Sequence, residues 1–475
     1  VSADDPDMHS SQNEQDNRHY GRAAGVPVIE PSDSAEGRAF TAAAYEMSEE
    51  FDLPVMLRLT TRICHSDTPV ETGERIELKR EYEPVRDIEK YVMIPGHARK
   101  RHADQLERWK RLRDFAETTP LNEVIEGDSN LGVISSGVAY QYAREALPNA
   151  SFLKLGLVWP LPQQTIRDFA DSVDELVVIE ESGPFVAQNL KMMGIEIREL
   201  PESIQLGELS PGRVEKLVAG DDVEAPETAV DLPPRPPVLC PGCPHRGVFH
   251  VLRDLDVHVT GDIGCYTLGT LPPLSALHTC LCMGASIGEA HGINSVCDEQ
   301  KSVAVIGDST FMHSGITGLV NIVYNAGNSV VCILDNGTTA MTGGQEHPAT
   351  GKTLSGKPAG EVSIEDICRG CGVKKVTVVD PMDLDATEDA ITEGLETDEP
   401  AVVIARRMCV LASRERDLPF TVDAELCVNC GRCLELGCPA IGTEDDHPVI
   451  DATMCTGCTL CAQVCPVDAI SQIEE

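Results

Sequence analysis

Two runs of cysteine near the C-terminal end constrain this chain more than anything else in it. Cys427, Cys430, Cys433 and Cys438 precede Pro439, and Cys455, Cys458, Cys461 and Cys465 precede Pro466. C-x-x-C-x-x-C with a fourth Cys and a Pro is the pattern of bacterial two-cluster iron–sulfur domains, in which the fourth Cys of each run ligates the other run's cluster. The expected quartets are therefore Cys427, Cys430, Cys433 and Cys465 for one cluster, and Cys455, Cys458, Cys461 and Cys438 for the other. The first run has four residues before its last Cys where three are usual, so a one-residue bulge is expected near Leu436-Gly437. The runs repeat at 28 residues, Cys427 to Cys455, which implies a pseudo-twofold unit. Structural zinc and disulfides are the alternatives. Zinc gathers four ligands at one tetrahedral point, which suits two interleaved quartets poorly. The reading is one-electron transfer through two 4Fe-4S clusters.

The remaining sequence says what surrounds that unit. A chain of 475 residues holds several domains, and none of its apolar runs approaches bilayer length. Most of its 19 cysteines fall in ligand-like spacings, which points to a reducing cytoplasm and not to a secreted disulfide framework. With 77 Asp and Glu, 26 Arg and only 12 Lys, the formal charge is −39. Such an acidic, Lys-poor surface disfavours nucleic acid as a partner and suits a salt-rich host, where screening removes self-repulsion. The opening "VSADDPDMHSSQNEQDNRHYGRAAGVPVIEP" reads as a strand end and loop in progress, so a preceding part of the same domain is expected.

Strand and helix signals alternate through much of the chain, predicting α/β architecture with parallel sheets and a C-terminal α+β ferredoxin-type domain. Strands are expected at Val26–Glu30, Pro54–Leu59, within "FLKLGLVWPLP", "ELVVIEES" and "IEIREL", and at "KSVAVIGD", "SVVCILDN" and "AVVIARR". Helices are expected over Ser34–Phe51 and the basic stretch His97–Thr118, read as a solvated face. "LGVISSGVAYQYAREAL" reads as strand, Ser-Ser-Gly turn and helix. The boundaries are 1–66 (α/β), 67–125 (charged connector), 126–218 (α/β), 219–237 (acidic, Pro-rich linker), 238–415 (α/β with the richest motifs) and 416–475 (iron–sulfur unit).

Within 238–415, Gly307-Asp308-Ser309 follows one apolar strand, and Asn336, 28 residues after Asp308, follows the next. Adjacent parallel strands so placed present a carboxylate and an amide at their carboxyl ends, where α/β sheets bind ligands. Carboxylate, amide and backbone oxygens suit Mg²⁺, and a diphosphate can rest on the helix N-terminus after Asp308. Thr310, His313 and Ser314 could add donors. Asp308 and Asn336 are the expected metal ligands. A bare strand–turn–helix with a solvent-capping Asp is the alternative.

Cys240-Pro241-Gly242-Cys243-Pro244-His245 is a further C-x-x-C, followed by Cys265 and Cys409. A redox dithiol, a zinc site with His245, or a third cluster on Cys240, Cys243, Cys265 and Cys409 each fit. Cys64, Cys280, Cys282, Cys297, Cys332, Cys368 and Cys371 read as buried small hydrophobes.

The Gly-Asp-Ser to Asp-Asn spacing is similar to the thiamine diphosphate signature, with Ser309 and Asp335 as departures. Together with C-P-G-C and the double-cluster tail, it resembles the 2-oxoacid:ferredoxin oxidoreductases. "DDPDMHSSQNEQDNR", "CPGCPHRGVF", "GDIGCYTLG", "GDSTFMHSGITGL" and "LDNGTTAMTGGQEHP" narrow the resemblance to the large subunits of indolepyruvate ferredoxin oxidoreductases, over essentially the whole chain. The resemblance implies oxidative decarboxylation of aryl pyruvates to aryl-acetyl-CoA and CO₂, with thiamine diphosphate, Mg²⁺ and CoA, a small beta subunit in a hetero-oligomer, and ferredoxin as acceptor. It implies that 1–66 belongs to a pyrimidine-binding domain whose Asp4–Arg18 segment faces the cofactor, that 126–218 resembles a transketolase C-terminal domain, and that 238–415 binds the diphosphate. It also implies that Gly264, Cys265, Gly307, Asp308, Ser309, Thr310, Asn336 and Thr338 contact the cofactor, the Thr338 carbonyl serving as a third Mg²⁺ ligand. No residue here matches the family's activating Glu, so this chain alone is expected to bind the cofactor poorly and to be inactive. A pyruvate-type enzyme of the same family and a non-catalytic electron carrier remain open.

Overall fold

The computed structural model describes residues 1–74, 85–223, 236–297 and 301–473. The proline-rich part of the expected linker, 224–235, and 75–84 of the charged connector lie outside the described residues. The chain forms two units, Val1–Leu232 and Pro233–Glu475.

In the first unit, β1 (Ser2–Asp4), β2 (Val28–Ile29) and β3 (Met56–Thr60) form a sheet with β3 central and parallel to both. The helix Ser34–Phe51 covers it because Phe40, Met47 and Phe51 fall on one face and are buried. Its start is fixed by the Asp33 carboxylate, which accepts from Glu36 N at 2.8 Å, an N-cap. A second sheet takes β4 (Glu123–Ile125), β5 (Leu131–Ser136), β6 (Ser151–Leu155) and, after β7 (Leu157–Trp159), β8 (Glu175–Ile179) in the order β4-β6-β5-β8. β6, β5 and the edge strand β8 are parallel, and β4 is an antiparallel edge; β7 joins the first sheet, antiparallel to β2.

Four expectations in this unit need correction. Ile195–Leu200 ("IEIREL") is not a strand: Arg198 N bonds Leu176 O at 2.7 Å without any ladder. Ser135 and Ser136 complete β5 instead of turning, and Gly137 starts the helix. The basic helix runs Pro95–Ala116; it buries Leu112 and Ala116, and its Arg101 and Arg108 pair with Asp52 at 3.2 and 2.9 Å, so the charge run is partly neutralised rather than wholly solvated. Cys64 is exposed and does not behave as a core residue.

The second unit is built on an all-parallel sheet. Its strands β9 (His258–Gly261), β10 (Thr279–Cys280), β11 (Ser302–Gly307), β12 (Val330–Asp335), β13 (Lys375–Val379) and β14 (Ala401–Arg406) are ordered β10-β9-β11-β12-β14-β13. β11 and β12 are buried along nearly their whole length, which explains their unbroken apolar runs. Of the other cysteines expected in cores, Cys332 and Cys368 are buried, whereas Cys282 and Cys297 are exposed and Cys280 and Cys371 only half-buried. The C-terminal unit adds β15 (Phe420–Val422), paired with β18 (Ile470–Gln472), and the hairpin of β16 (Ile441–Glu444) with β17 (His447–Ile450). At the expected bulge, a single turn Leu434–Leu436 ends on Gly437 at φ 61°. Phe420, Leu436, Leu460 and Ile470 share one apolar core with Val305, Val330 and Leu334 of the parallel sheet. Gln463 strengthens the junction, its Nε2 donating to Met382 O at 2.7 Å. Among the described residues, no helix is long and apolar enough to cross a membrane.

Candidate functional site: a cavity at two strand ends beside three thiol groups

The parallel register sets Gly307 opposite Leu334, so Asp308 and Asn336 emerge from the carboxyl ends of neighbouring strands. One cavity of about 100 Å³ is lined by Gly264, Cys265, Gly307, Asp308, Ser309, Thr310, Asn336 and Thr338 together. The helix leaving Asp308 passes through a π-type turn at Phe311–Gly315 before Ile316–Tyr324, a distortion common at functional sites. His313 and Ser314 lie in that turn and do not line the cavity.

Asp308 is buried and held on both oxygens. Oδ1 accepts from Ser309 N at 2.7 Å, and Oδ2 accepts from Gly337 N at 2.8 Å and lies 3.2 Å from His347 Nε2. Ala349 N donates to His347 Nδ1 at 3.4 Å, so Nε2 carries the ring proton and donates to Asp308. Asn336 Oδ1 accepts from Thr338 N at 3.2 Å, while its amide nitrogen lies 3.3 Å from His245 Nε2. Burial brings His245 down to about 4, so the ring is neutral at pH 7 and accepts from Asn336. Asp335 is pushed up, first by burial and then by the neighbouring Asp308. Asp335 is half-buried and paired with Arg406 at 2.6 Å, so the cavity itself holds one buried carboxylate, Asp308, beside the Asn336 amide and backbone carbonyl oxygens, a donor set that suits a hard divalent cation. Both His residues escaped sequence reasoning as parts of this site. His245 looked like a zinc ligand in C-P-G-C-P-H, and His347, though inside the stretch LDNGTTAMTGGQEHP, was given no role.

Cys240, Cys243, Cys265 and Cys409 are neighbours in the fold. Cys243 is pushed up to about 12, mainly by burial, with Cys240 and Cys265 adding to it; Cys265 is raised by burial, Cys240 and Cys409. Cys265 also lines the Asp308/Asn336 cavity, and Cys409 N donates to Asn336 O at 2.9 Å.

The tail cysteines divide into two hollows. One is lined by Cys438, Cys455, Cys458 and Cys461 and the other by Cys427, Cys430, Cys433 and Cys465. Pro241 and Gly242 line the first as well. Gly242 has φ +69°, and a Cβ there would lie 2.1 Å from Thr456 Oγ1, between two of the tail ligands. Among the described residues, no three His, Cys, Asp or Glu side chains are grouped to hold a metal ion; the thiols of each quartet instead wall a space. The Asp4–Arg18 segment is tied within its own unit, Asp4 to Arg58 and Arg18 to Asp16 and Glu180.

Known proteins carry the same parts. The family described as thiamine pyrophosphate enzyme, C-terminal TPP binding domain, matches residues 262–405, and 4Fe-4S binding domain matches 448–471. The indolepyruvate oxidoreductase subunit IorA of Archaeoglobus fulgidus is 40% identical, over 99% of this chain and 80% of that protein. The subunits of the same name from Methanothermobacter thermautotrophicus and Thermococcus kodakarensis are 40% and 38% identical, over 99% and 100% of this chain and 81% and 82% of theirs.

Proposed function

The chain belongs to the family of indolepyruvate oxidoreductase IorA subunits, and from that premise we propose that it acts in the ferredoxin-linked oxidative decarboxylation of aryl pyruvates. In balance, an aryl pyruvate anion, CoA and two oxidised ferredoxins give aryl-acetyl-CoA, CO₂, two reduced ferredoxins and one proton. Thiamine diphosphate, when bound, supplies the nucleophilic carbon and the electron sink that loss of CO₂ from a 2-oxo acid requires. The observation that carries the reading is Cys265, which lines the Asp308/Asn336 cavity and also neighbours Cys240 and Cys409.

Asp308, Asn336 and the Thr338 carbonyl are the residues that would hold Mg²⁺ and, through it, the diphosphate. His347 orients Asp308, and the neutral His245 with Thr338 N fixes the Asn336 amide, whose oxygen keeps a second lone pair for a cation; such supporting bonds set ligand geometry. Gly264, Gly307, Ser309 and Thr310 provide the close backbone and the helix start for the anion. Cys240, Cys243, Cys265 and Cys409 are read as ligands of a third cluster, next to the cavity. The quartet Cys438, Cys455, Cys458 and Cys461 follows across Gly242, and Cys427, Cys430, Cys433 and Cys465 come last, which orders the electron path outward. Residues 1–66 and 126–218 are read as pyrimidine-side and transketolase-C-like domains, 238–415 as the diphosphate domain. A small beta subunit, a ferredoxin acceptor, a cytoplasmic setting and a salt-rich host complete the proposal.

Anaerobic reconstitution of the complex with thiamine diphosphate, Mg²⁺ and CoA, scored by ferredoxin reduction, tests it. Indolepyruvate and phenylpyruvate are expected to outrun pyruvate; a clear preference for pyruvate assigns the pyruvate-type reaction instead. Asp308→Ala is expected to cut turnover by at least about 100-fold with iron content unchanged. Intact clusters with no turnover of any 2-oxo acid by the wild-type complex favour an electron carrier.

A further inference from the structure

The chain has only two tryptophans, and both line one cavity of about 590 Å³ in the first unit. On the helix Pro95–Ala116, Leu106, Trp109, Lys110 and Arg113 stand at i, i+3, i+4 and i+7 and so share one face, while Leu112 and Ala116 enter the core. That shared face lines the cavity. Trp159 ends β7, and its ring centroid lies 6.3 Å from that of Trp109. Gly25, at φ +65°, makes room for the first indole: a Cβ there would lie 3.3 Å from Trp109 Nε1. Met192, from the helix Phe185–Met192, adds a thioether to the lining. Leu106 and Met192 are 54% and 65% exposed, so the cavity offers uncovered apolar surface beside two aromatic rings.

Charge sets this cavity apart from the rest of the molecule. The chain has 77 Asp and Glu against 38 Lys and Arg, yet among the described residues Arg22, Lys110 and Arg113 line the cavity and no Asp or Glu does. Arg22 lies over the Trp159 ring at 5.4 Å and donates to the neutral Asn189 Oδ1 at 3.3 Å. Lys110 reaches Glu107 at 2.6 Å, an exposed pair of the kind that contributes little. Arg113 has no carboxylate partner among the described residues. The Trp159 indole N–H has no acceptor among them either, although a buried indole N–H ordinarily finds one. The neighbouring helix Gln163–Asp171 does not offer its N-terminus, because the Glu117 carboxylate accepts from Gln164 N and Thr165 N at 2.9 Å. An anion entering the cavity therefore meets guanidinium forks and an ammonium instead of a cradle of backbone N–H groups, which favours a planar carboxylate over a phosphate.

We propose that this cavity binds an aromatic carboxylate, its ring against Trp109 and Trp159 and its carboxylate paired with Arg22 and Arg113. The site belongs to the first unit alone and is independent of the reaction proposed above. Ring contacts, burial of Leu106 and Met192 and the ion pairs act together there. An aromatic amino acid fits less well, because its ammonium meets three cations and no carboxylate to answer it. Arylacetates and aryl 2-oxo acids share the recognised chemistry. Occupation ties the helix Pro95–Ala116 to β7 and to the helix Phe185–Met192, so the ligand stabilises the first unit.

Since both tryptophans line the cavity, the intrinsic indole fluorescence of the full chain reports on it directly. Phenylacetate and phenylpyruvate are titrated separately under anaerobic conditions, with phenylalanine, benzyl alcohol, inorganic phosphate and ADP as comparisons, and calorimetry repeats each titration. Saturable quenching by at least one of the two acids is expected, and the tighter one tells which class the cavity takes. The comparisons are expected to bind at least about 10-fold more weakly. Arg22→Ala combined with Arg113→Ala is expected to weaken the acid about 10-fold; both side chains are exposed, and circular dichroism checks that the fold is kept. Trp109→Leu is expected to weaken it about 3–10-fold. Neither quenching nor heat with either acid overturns the assignment, as does an affinity that the double arginine variant leaves unchanged. Phosphate or ADP binding as tightly as the acids overturns it in favour of a phosphate site. Self-association in sedimentation that Trp109→Leu abolishes, with no acid bound, gives this face to a second copy of the chain instead.

Discussion

Glu181 shows what burial does to one ionisable group in the first unit. It is 4% exposed, and burial, followed by the nearby charge of Glu208, pushes its carboxyl up to about 7, although Leu209 N donates to Oε1 at 2.9 Å. The folded form therefore holds this proton more tightly than the unfolded chain, whose carboxyl titrates near 4.5. Between those two values the native state carries the extra proton, so stability falls as pH rises through the window. The full loss, complete above pH 7, is about 3 kcal/mol. Glu181→Gln keeps a carbonyl for the Leu209 amide and cannot ionise. The expected result is a thermal midpoint of the first unit raised by ~5 °C at pH 8 and unchanged below pH 4.5, read by calorimetry along a pH series. Equal shifts at both pH values would assign the effect to packing. Elsewhere the first unit meets buried charge differently: Arg18 and Arg58 neutralise Asp16, Glu180, Asp4 and Glu30 directly.

The Cys240–Cys243 turn is the element that joins the cofactor side of the second unit to its tail. Gly242 faces Thr456 there at positive φ, so Gly242→Ala meets both a backbone penalty of about 1–2 kcal/mol and a contact with Thr456. The variant is expected to lose about one cluster's iron, by iron and acid-labile sulfide analysis, while thiamine diphosphate still binds. Thr456→Gly on the same background should recover part of that iron; unchanged iron in Gly242→Ala would mean that the contact is slack. Elements whose pattern and capping agree were legible in the sequence: Ser34–Phe51 has its boundary Asp33 and its buried stripe, and β11, β12 and β14 are apolar runs with no other use. The extended stretch Ile195–Leu200 was not, since alternation alone cannot tell a strand from an edge that finds no partner ladder. That Gly307, Asp308 and Asn336 meet at neighbouring strand ends follows from the strand pattern and spacing, while Gly264, Cys265 and Thr338 entered only with the resemblance. The support that His347 gives Asp308 was not legible, because a single side chain on a turn carries no period, and Cys64, Cys282 and Cys297 show that residue type alone does not set burial.

At the scale of the molecule the formal charge of −39 dominates. Several basic groups are already committed to local pairs, such as Arg406 with Asp335 and Glu365 or Arg62 with Glu208, which leaves a large surplus of acid facing solvent. Raising salt shortens the screening distance from about 10 Å at 0.1 M to about 3 Å at 1 M, and self-repulsion in the compact state fades with it. The thermal midpoint is therefore expected to climb by several degrees between 0.1 M and 1 M KCl, followed by circular dichroism under anaerobic conditions; a flat or falling midpoint would count against adaptation to a salty interior.

Because tail and sheet share a single apolar core, wiring and pocket are welded rather than plugged together. Leu436 and Leu460 pack with Val305 and Leu334, so oxygen damage that unseats the tail is expected to weaken thiamine diphosphate binding at the sheet as well.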